Sequence, residues 1–308
     1  PPPPPPPPFT SRRRNTRFGF KSRGLGDVYK RQGGFRDYAY LLGADGRLRK
    51  LVPSLPTEDP ELQRVWCMHG IQLGSQVILG YMIVLMHSEL ANPDDMGFEV
   101  IGSGMAVGYR TDLDFRRLGG GEAQPPYEDT IWWDVSQPQF GAAMLQDEAT
   151  GDVYLFGSLQ GGEVPAQQAH LARVRCDEVE RLDRYEYFDG EAWSPHVNQA
   201  APLFSGQPNE LSVSFNPYLG QYLAVHSWSL TGELVGRTAA ELWGPWSDPV
   251  VLWQPPAELR EVPAGEPERC FYAGKEHPAL AGEGGRVLYV TYVDNYEYFP
   301  HLIEVTLR

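Results

Sequence analysis

A short apolar strand recurs along this chain at a nearly fixed interval. It reads DYAYLL at 37–42, SGMAVGY at 103–109, HLARVR at 170–175, GRTAAEL at 236–242 and HLIEVTL at 301–307. Anchored on Ala39, Ala106, Ala172, Thr238 and Glu304, the spacings are 67, 66, 66 and 66 residues. Upstream of it lies a second strand with an aromatic anchor, GYMIVLM, VYLFG, QYLAVHS and LYVTY, centred on Tyr81, Tyr154, Tyr222 and Tyr289. Further upstream is a first strand: IQLG after His69, FGAAML from Phe140, LSVSF from Leu211 and a weaker one near 278–281. Turns with Gly, Asn or Asp separate the first and second strands, as hairpin loops require. A fourth strand follows in most units: LRKLVP, FRRLG, RYEYFDG and PVVLW.

A repeat of four antiparallel strands is a propeller blade. The better-known blade repeats run ~40–50 residues, shorter than this period. A two-domain β-sandwich does not predict one spacing held along the whole chain. The sequence therefore predicts an all-β, five-bladed propeller of four-stranded antiparallel blades. The blades fall at about 33–60, 64–120, 132–190, 205–254 and 268–308 within a single domain at 33–308. The first blade is expected to be incomplete, because its first and second strands project into a segment of another character. Pro1–Pro8 is a homopolymer with no backbone donors, and proline is confined to sheet edges and bulges. The stretch SRGLGDVYKRQ resembles translated sequencing-adaptor read-through, so residues 1–32 are read as a disordered, artefactual segment and the chain as shortened on its N-terminal side. No apolar stretch follows the arginines there, so a signal peptide is not expected in this segment.

Charge narrows the partners. The formal net charge is −14, and leaving out 1–32, with its eight Lys/Arg and one Asp, makes it −21. That balance argues against a nucleic-acid binder. No run of ~20 apolar residues predicts a membrane span. Three scattered cysteines, Cys67, Cys176 and Cys270, suit neither a disulfide framework nor a Cys-based zinc site. Phosphate-loop, zinc-protease, nucleophile-elbow and EF-hand motifs are missing from the sequence.

The segment NELSVSFNPYLGQYLAVHSWSLTGELVGRTAAELWGPWSDPVVLW at 209–253 carries a family likeness. Glu210 precedes a strand; Asn216 is followed by Gly220-Gln221-Tyr222, then Arg237-Thr238-Ala239 and Gly244-Pro245-Trp246-Ser247. With FGAAML, YLFG, LARV, His277-Pro278 and YVTY, these features resemble the bacterial family called domain of unknown function 4185, over about 33–308. That family is similar to five-bladed propellers of the glycoside hydrolase 43 kind, and some members are endo-D-arabinanases of family 183. The resemblance implies hydrolysis of an arabinan-like or other polysaccharide by an extracellular or periplasmic monomer. It also implies that one essential aspartate belongs on the first-blade strand that this chain lacks.

In a propeller, the segment just before each first strand faces the central funnel. Glycoside hydrolysis needs a proton donor and a base or nucleophile, usually paired carboxylates. Glu210, Glu276 and Asp134 sit before three different first strands and are the candidate catalytic groups. Each has a plainer reading. Glu210 could cap blade-edge amides, Glu276 could pair with Lys275 or Arg269, and Asp134 could serve a turn. His69, Trp132, Trp133, Gln139, Asn209 and His277 are candidate substrate contacts, the tryptophans as flat platforms for sugar faces. Blade packing competes for the tryptophans and structural hydrogen bonding for the histidines. Arg173 and Arg237, on third strands, are expected to bridge blades. No metal ligand set or cofactor is expected; a central calcium ion has no supporting residues. The competing function is a non-catalytic carbohydrate-binding or cell-surface propeller.

Overall fold

The computed structural model describes residues 40–42, 46–86, 98–159, 167–229, 232–261, 269–294 and 299–308. The expected artefactual segment 1–32 lies outside them. The strands are β1 (Tyr40–Leu42), β2 (Leu48–Lys50), β3 (Gln63–Leu73), β4 (Gln76–Met86), β5 (Phe98–Tyr109), β6 (Arg116–Arg117), β7 (Trp133–Asp134), β8 (Pro138–Asp147), β9 (Asp152–Leu159) and β10 (Gln167–Arg175). They continue as β11 (Glu186–Phe188), β12 (Trp193–Ser194), β13 (Phe204–Asn216), β14 (Gln221–Ser227), β15 (Leu234–Ala239), β16 (Val250–Trp253), β17 (Phe271–Glu276), β18 (Val287–Asp294) and β19 (Phe299–Thr306).

The fold is all-β and of the propeller type, with antiparallel sheets, and the described residues form four blades rather than the expected five. The blades are β3-β4-β5-β6 with β7 on β5, β8 to β12, β13 to β16, and β17 to β19. Among the described residues, β1 and β2 pair only with each other, Tyr40 facing Lys50 and Leu42 facing Leu48. Leu42 and Leu48 are 66% and 50% exposed, and among the described residues no further strand joins these two to make a blade.

The chain divides into two compact units, one of residues 18–160 and 171–200, the other including 161–170 and 201–308. In the first, Trp132, Trp133, Phe140, Met144, Leu155 and Tyr185 form the centre of a buried cluster. A second cluster there joins Val65, Tyr81, Ile83, Ala106 and Ile131. Gly104 permits this packing, because a Cβ there would meet the Thr130 carbonyl at 2.3 Å and the Tyr81 hydroxyl at 2.6 Å. In the second unit, Leu223, Val225, Leu234, Phe271, Leu288, Val290 and Val305 form the core.

The first strands start earlier than their apolar stretches suggest. IQLG is the end of β3, and LSVSF the end of β13. The weak first strand expected near 278–281 is a 3-10 turn at Pro278–Leu280; the true first strand is β17, ahead of it. Each of these four strands breaks register with its partner once: between Cys67 and Gly70, Phe140 and Ala143, Gln207 and Ser212, and Tyr272 and Lys275. These are β-bulges, in which extra residues on one strand face fewer on the other. Polar residues that looked like loop in the sequence, His69, Asn209 and Glu210, are therefore strand residues carried on bulges.

Candidate active site

The bulges of β13 and β17 bring the charged groups of the second unit together. On β17, Ala273 adopts a left-handed backbone, φ 57°. That region is costly for a residue with a Cβ and marks a locally over-determined conformation. Its N–H donates to the carboxylate of Glu210 on the β13 bulge. Glu210 is half-buried, and burial pushes its carboxyl above the usual range; the Lys275 ammonium and the Ala273 N–H act in the opposite direction. Lys275 is itself lowered by burial, with Glu210 working to restore it. Two charged groups taken out of water thus support each other.

Register then fixes which neighbours share that face. Lys275 faces Thr291 and Glu276 faces Val290 across β17 and β18. Along β18 every second residue is buried, Leu288, Val290, Tyr292 and Asp294, while Val287, Tyr289, Thr291 and Val293 are half-exposed. Because successive strand residues point to opposite sides, Lys275 lies on the open face with Thr291 and Glu276 on the core face with Val290. His277, two residues beyond Lys275, returns to the open face, where its Nε2 lies 2.9 Å from Thr291 Oγ1. Burial, and then Lys275, lower its imidazole. Asn209 lies beside Glu210 on the bulge, with a buried Oδ1 that has no hydrogen-bond partner.

Glu276 is 5% exposed. Its Oε2 accepts from Ser214 Oγ at 2.9 Å, and its backbone N–H donates to Ser212 Oγ at 2.7 Å, both on β13. Burial raises its carboxyl to about 6. It pairs with neither Lys275 nor Arg269; Arg269 Nε instead donates to Asp294 Oδ2 at 2.9 Å. Lys275 and His277 therefore share the open face of β17 with Thr291, and Glu276 lies on the other side of that strand.

The remaining candidates lie in the first unit. Asp134 is the last residue of β7, opposite Gly102 of β5. Its Oδ1 accepts from Ser136 N–H at 2.8 Å and Ser136 Oγ at 2.6 Å, the geometry of a side-chain-closed turn. His69 Nδ1 accepts from Met144 N–H at 3.2 Å, joining the β3 bulge to β8. Gln139 is buried and donates to the carbonyls of Asp134 at 2.6 Å and Gln137 at 2.9 Å. Trp132 and Trp133 are 5% and 0% exposed. Trp133 packs edge-on against Phe140 and Tyr185 and donates to Tyr187 OH at 3.0 Å, and Trp132 donates to the Gly119 carbonyl at 3.0 Å. Contrary to the expectation of a sugar platform, both rings are core, because packing already covers their faces.

The third-strand arginines also differ from expectation. Arg173 pairs with Glu186, its direct partner across β10 and β11, with an Nε–Oε2 distance of 2.9 Å, and lies over Trp193. Arg237 donates to the carbonyls of Ser247 at 2.8 Å and Ser205 at 2.9 Å. The GPWS motif is thus a clasp: Ser247 supplies the carbonyl for Arg237 and its Oγ accepts from Thr238 N–H at 3.1 Å.

Two groups escaped the sequence reading. Lys275 appeared there only as part of the funnel segment Lys275-Glu276-His277 and as a possible partner of Glu276, with no role of its own. His226 is fully buried on β14, stacked 5.4 Å from Phe204, and burial lowers its imidazole to about 4. Alternation within the apolar run QYLAVHS was the only available signal for it. Among the described residues, no cluster of three His, Cys, Asp or Glu side chains could hold a metal ion, and no helix is long and apolar enough to cross a membrane.

The family described as Domain of unknown function (DUF4185) matches residues 114–302. No curated protein sequence matches the chain. Among solved structures, it is similar to a Bacteroides ovatus protein described as a "putative hydrolase", with a TM-score of 0.53 and 14% identity over 88% of this chain. The chain spans 66% of that relative's length. Also similar are an endo-arabinase from Bacteroides thetaiotaomicron (TM-score 0.42, 10% identity, 79% of this chain and 75% of that one) and an α-L-arabinanase mutant from Cellvibrio cellulosa (0.43, 16%, 82% and 79%). At these identities the likeness is one of fold.

Proposed function

The chain belongs to the DUF4185 family, and from that premise we propose that it is a glycoside-hydrolase-like propeller acting on an arabinan-like polysaccharide outside the cytoplasm. The observation that carries the reading is the Glu210 site. A carboxylate on the β13 bulge, pushed above its usual range by burial, accepts from the N–H of a left-handed alanine and feels the Lys275 ammonium on β17. A carboxyl displaced upward by burial beside a specific charged group is a candidate for acid–base chemistry. His277 and Asn209 supply hydrogen-bonding groups for sugar hydroxyls beside it.

The test is release of reducing sugar from a panel of arabinans and related polysaccharides by the wild-type chain and by Glu210→Gln. The amide keeps the shape and removes the charge, so activity is expected to fall by about 10²–10⁴-fold. Equal activity in the two proteins removes Glu210 from the reaction. The same assay on Asp134→Asn and Glu276→Gln identifies the second carboxylate. Retained binding of polysaccharide by a protein without hydrolysis would favour the carbohydrate-binding alternative.

A further inference from the structure

Ser227, the last residue of β14, is given no part by motif or family likeness, yet the bulges of β13 and β17 both rest on it. It is 1% exposed. Its Oγ accepts from the Gly274 N–H of the β17 bulge at 3.1 Å. Gly274 comes so close that a Cβ on it would stand 3.0 Å from the Ser227 backbone nitrogen and 3.1 Å from the His226 carbonyl carbon. Ser227 is also the register partner of Gln207, the last paired residue of β13 before its bulge. A carbonyl can only accept, so the 2.8 Å contact between His226 Nδ1 and the Ser227 carbonyl is donated by the imidazole. The ring so held lies under Gly206, where a Cβ would meet His226 Cε1 at 2.5 Å. One dipeptide of β14, His226-Ser227, thus supports the β13 bulge through its ring and the β17 bulge through its hydroxyl.

We propose that Ser227 is a positioning residue: it clamps the two bulges to each other and so aims the Ala273 N–H at the Glu210 carboxylate. The catalytic consequence rests on the reading of Glu210 given above; the clamp does not. Successive N–H groups of a regular strand point to opposite edges. The left-handed φ of 57° at Ala273 turns two in a row toward the same blade, that of Gly274 to Ser227 and that of Ala273 to Glu210. The contacts close a ring, from the Ser227 hydroxyl through Gly274 and Ala273 to Glu210, and back along β13 to Gln207 opposite Ser227. Losing the hydroxyl opens that ring at one point. β17 stays fastened further on, where the Glu276 N–H donates to Ser212 Oγ at 2.7 Å, so Ser227→Ala loosens the Ala273-Gly274 step without releasing the strand. A hydrolytic carboxylate works at one place relative to the bond it acts on, and a displacement of about 1 Å can cost about 10²-fold in rate.

The experiment compares Ser227→Ala and Ser227→Thr in the full chain. Glu210 is titrated by carboxyl-carbon NMR of protein labelled at glutamate, with its resonance assigned by loss in Glu210→Gln. Ser227→Ala is expected to move the titration to higher pH, because the carboxylate loses a well-aimed donor. Ser227→Thr keeps the hydroxyl and should stay near wild type; Lys275 is unaltered in both variants. An unchanged Glu210 titration in Ser227→Ala overturns the clamp. If Ser227→Ala fails to fold, the wild-type protein decides. The Gly274 amide should then be protected from hydrogen exchange, and the Ala273 amide proton should follow the Glu210 carboxyl with the same midpoint. A freely exchanging Gly274 amide, or an Ala273 amide indifferent to Glu210, overturns the clamp equally. The positioning role is read from kinetics on the polysaccharide panel above. In Ser227→Ala, kcat should fall by about 10–10²-fold with KM unchanged, and Ser227→Thr should restore it. A shifted titration with no hydrolysis by wild-type protein sinks the catalytic reading and leaves the clamp. Hydrolysis lost in Glu210→Gln with kcat unchanged in Ser227→Ala sinks the positioning role and leaves the catalytic reading.

Discussion

In the first unit, Arg117 meets Glu58 through two parallel hydrogen bonds, Nη1 to Oε1 at 2.6 Å and Nη2 to Oε2 at 2.8 Å, with the side chains 2% and 1% exposed. In the second unit, half-buried Glu210 on the β13 bulge accepts from the N–H of left-handed Ala273 and feels the charge of half-buried Lys275 on β17. The first pair has the fork geometry of guanidinium and carboxylate, two parallel hydrogen bonds that fix one arrangement. The second matches a point charge to a carboxylate and leaves both groups displaced from their ordinary titration. The difference separates a fixed fastening from two groups left half-open to solvent. Arg117 also lies 5.3 Å from the Tyr81 ring centre, so it ties the 51–62 segment to the sheet and to its core at once.

Removing one member of the fastened pair should have the largest effect. Glu58→Ala leaves a buried guanidinium without its partner and is expected to cost about 3–5 kcal/mol in urea denaturation. A cost below 1 kcal/mol would remove the distinction drawn between the pairs, because Lys275→Met on the half-exposed face is expected to cost less.

The next two tests use pH within the second unit, where two buried groups pull in opposite directions. His226 is held neutral, its imidazole lowered from 6.5 to about 4. The unfolded chain therefore binds a proton first, and stability present above pH 6.5 is lost as pH falls toward 4, by roughly 3 kcal/mol. His226→Gln should flatten that limb of the denaturation-against-pH curve. Glu276 is raised from 4.5 to about 6, so its contribution is full below pH 4.5 and lost as pH rises through about 6, by about 2 kcal/mol. Glu276→Gln should remove this second loss while leaving the first. If both variants change the same limb, the burial assigned to one of them is wrong.

The smallest expected effect concerns Ala273. Glycine tolerates its φ of 57°, so Ala273→Gly relieves strain of order 1 kcal/mol, against about 0.5–1 kcal/mol of added chain entropy. Stability should stay within about 1 kcal/mol, while the Glu210 titration shifts upward as its N–H donor loosens. Unchanged Glu210 behaviour would show that the Ala273 N–H has no part in setting that carboxyl.

The strands were legible in the sequence because their apolar residues alternate and recur with Tyr81, Tyr154, Tyr222 and Tyr289 at matching places. The bulges were not. A bulge is a failure of alternation, and His69 or Asn209-Glu210 inside one reads as the end of a strand rather than its middle. Glu210 could be picked out, since an acid before an apolar strand is unusual, but the groups that act on it could not. Lys275 and Glu276 are adjacent in sequence, and only the pairing with Thr291 and Val290 shows that they face opposite ways. Trp132 and Trp133 misled for a related reason. Their position beside a turn suggested display, whereas Tyr187, Tyr185 and Phe140, which cover them, come from elsewhere in the chain.

The register breaks in the first strands have a consequence for how such a protein can change. Beyond Ser212, β13 resumes regular pairing with β14, although four residues, 208–211, stand opposite His226 alone. In β17 only Ala273 and Gly274 stand opposite Tyr292 before pairing resumes at Lys275. Insertions and deletions at these points alter the length of one strand and leave its neighbour's hydrogen bonds in place. A repeated scaffold with such slack can acquire a different side chain at each blade independently, so that four nearly equivalent strands need not carry equivalent chemistry.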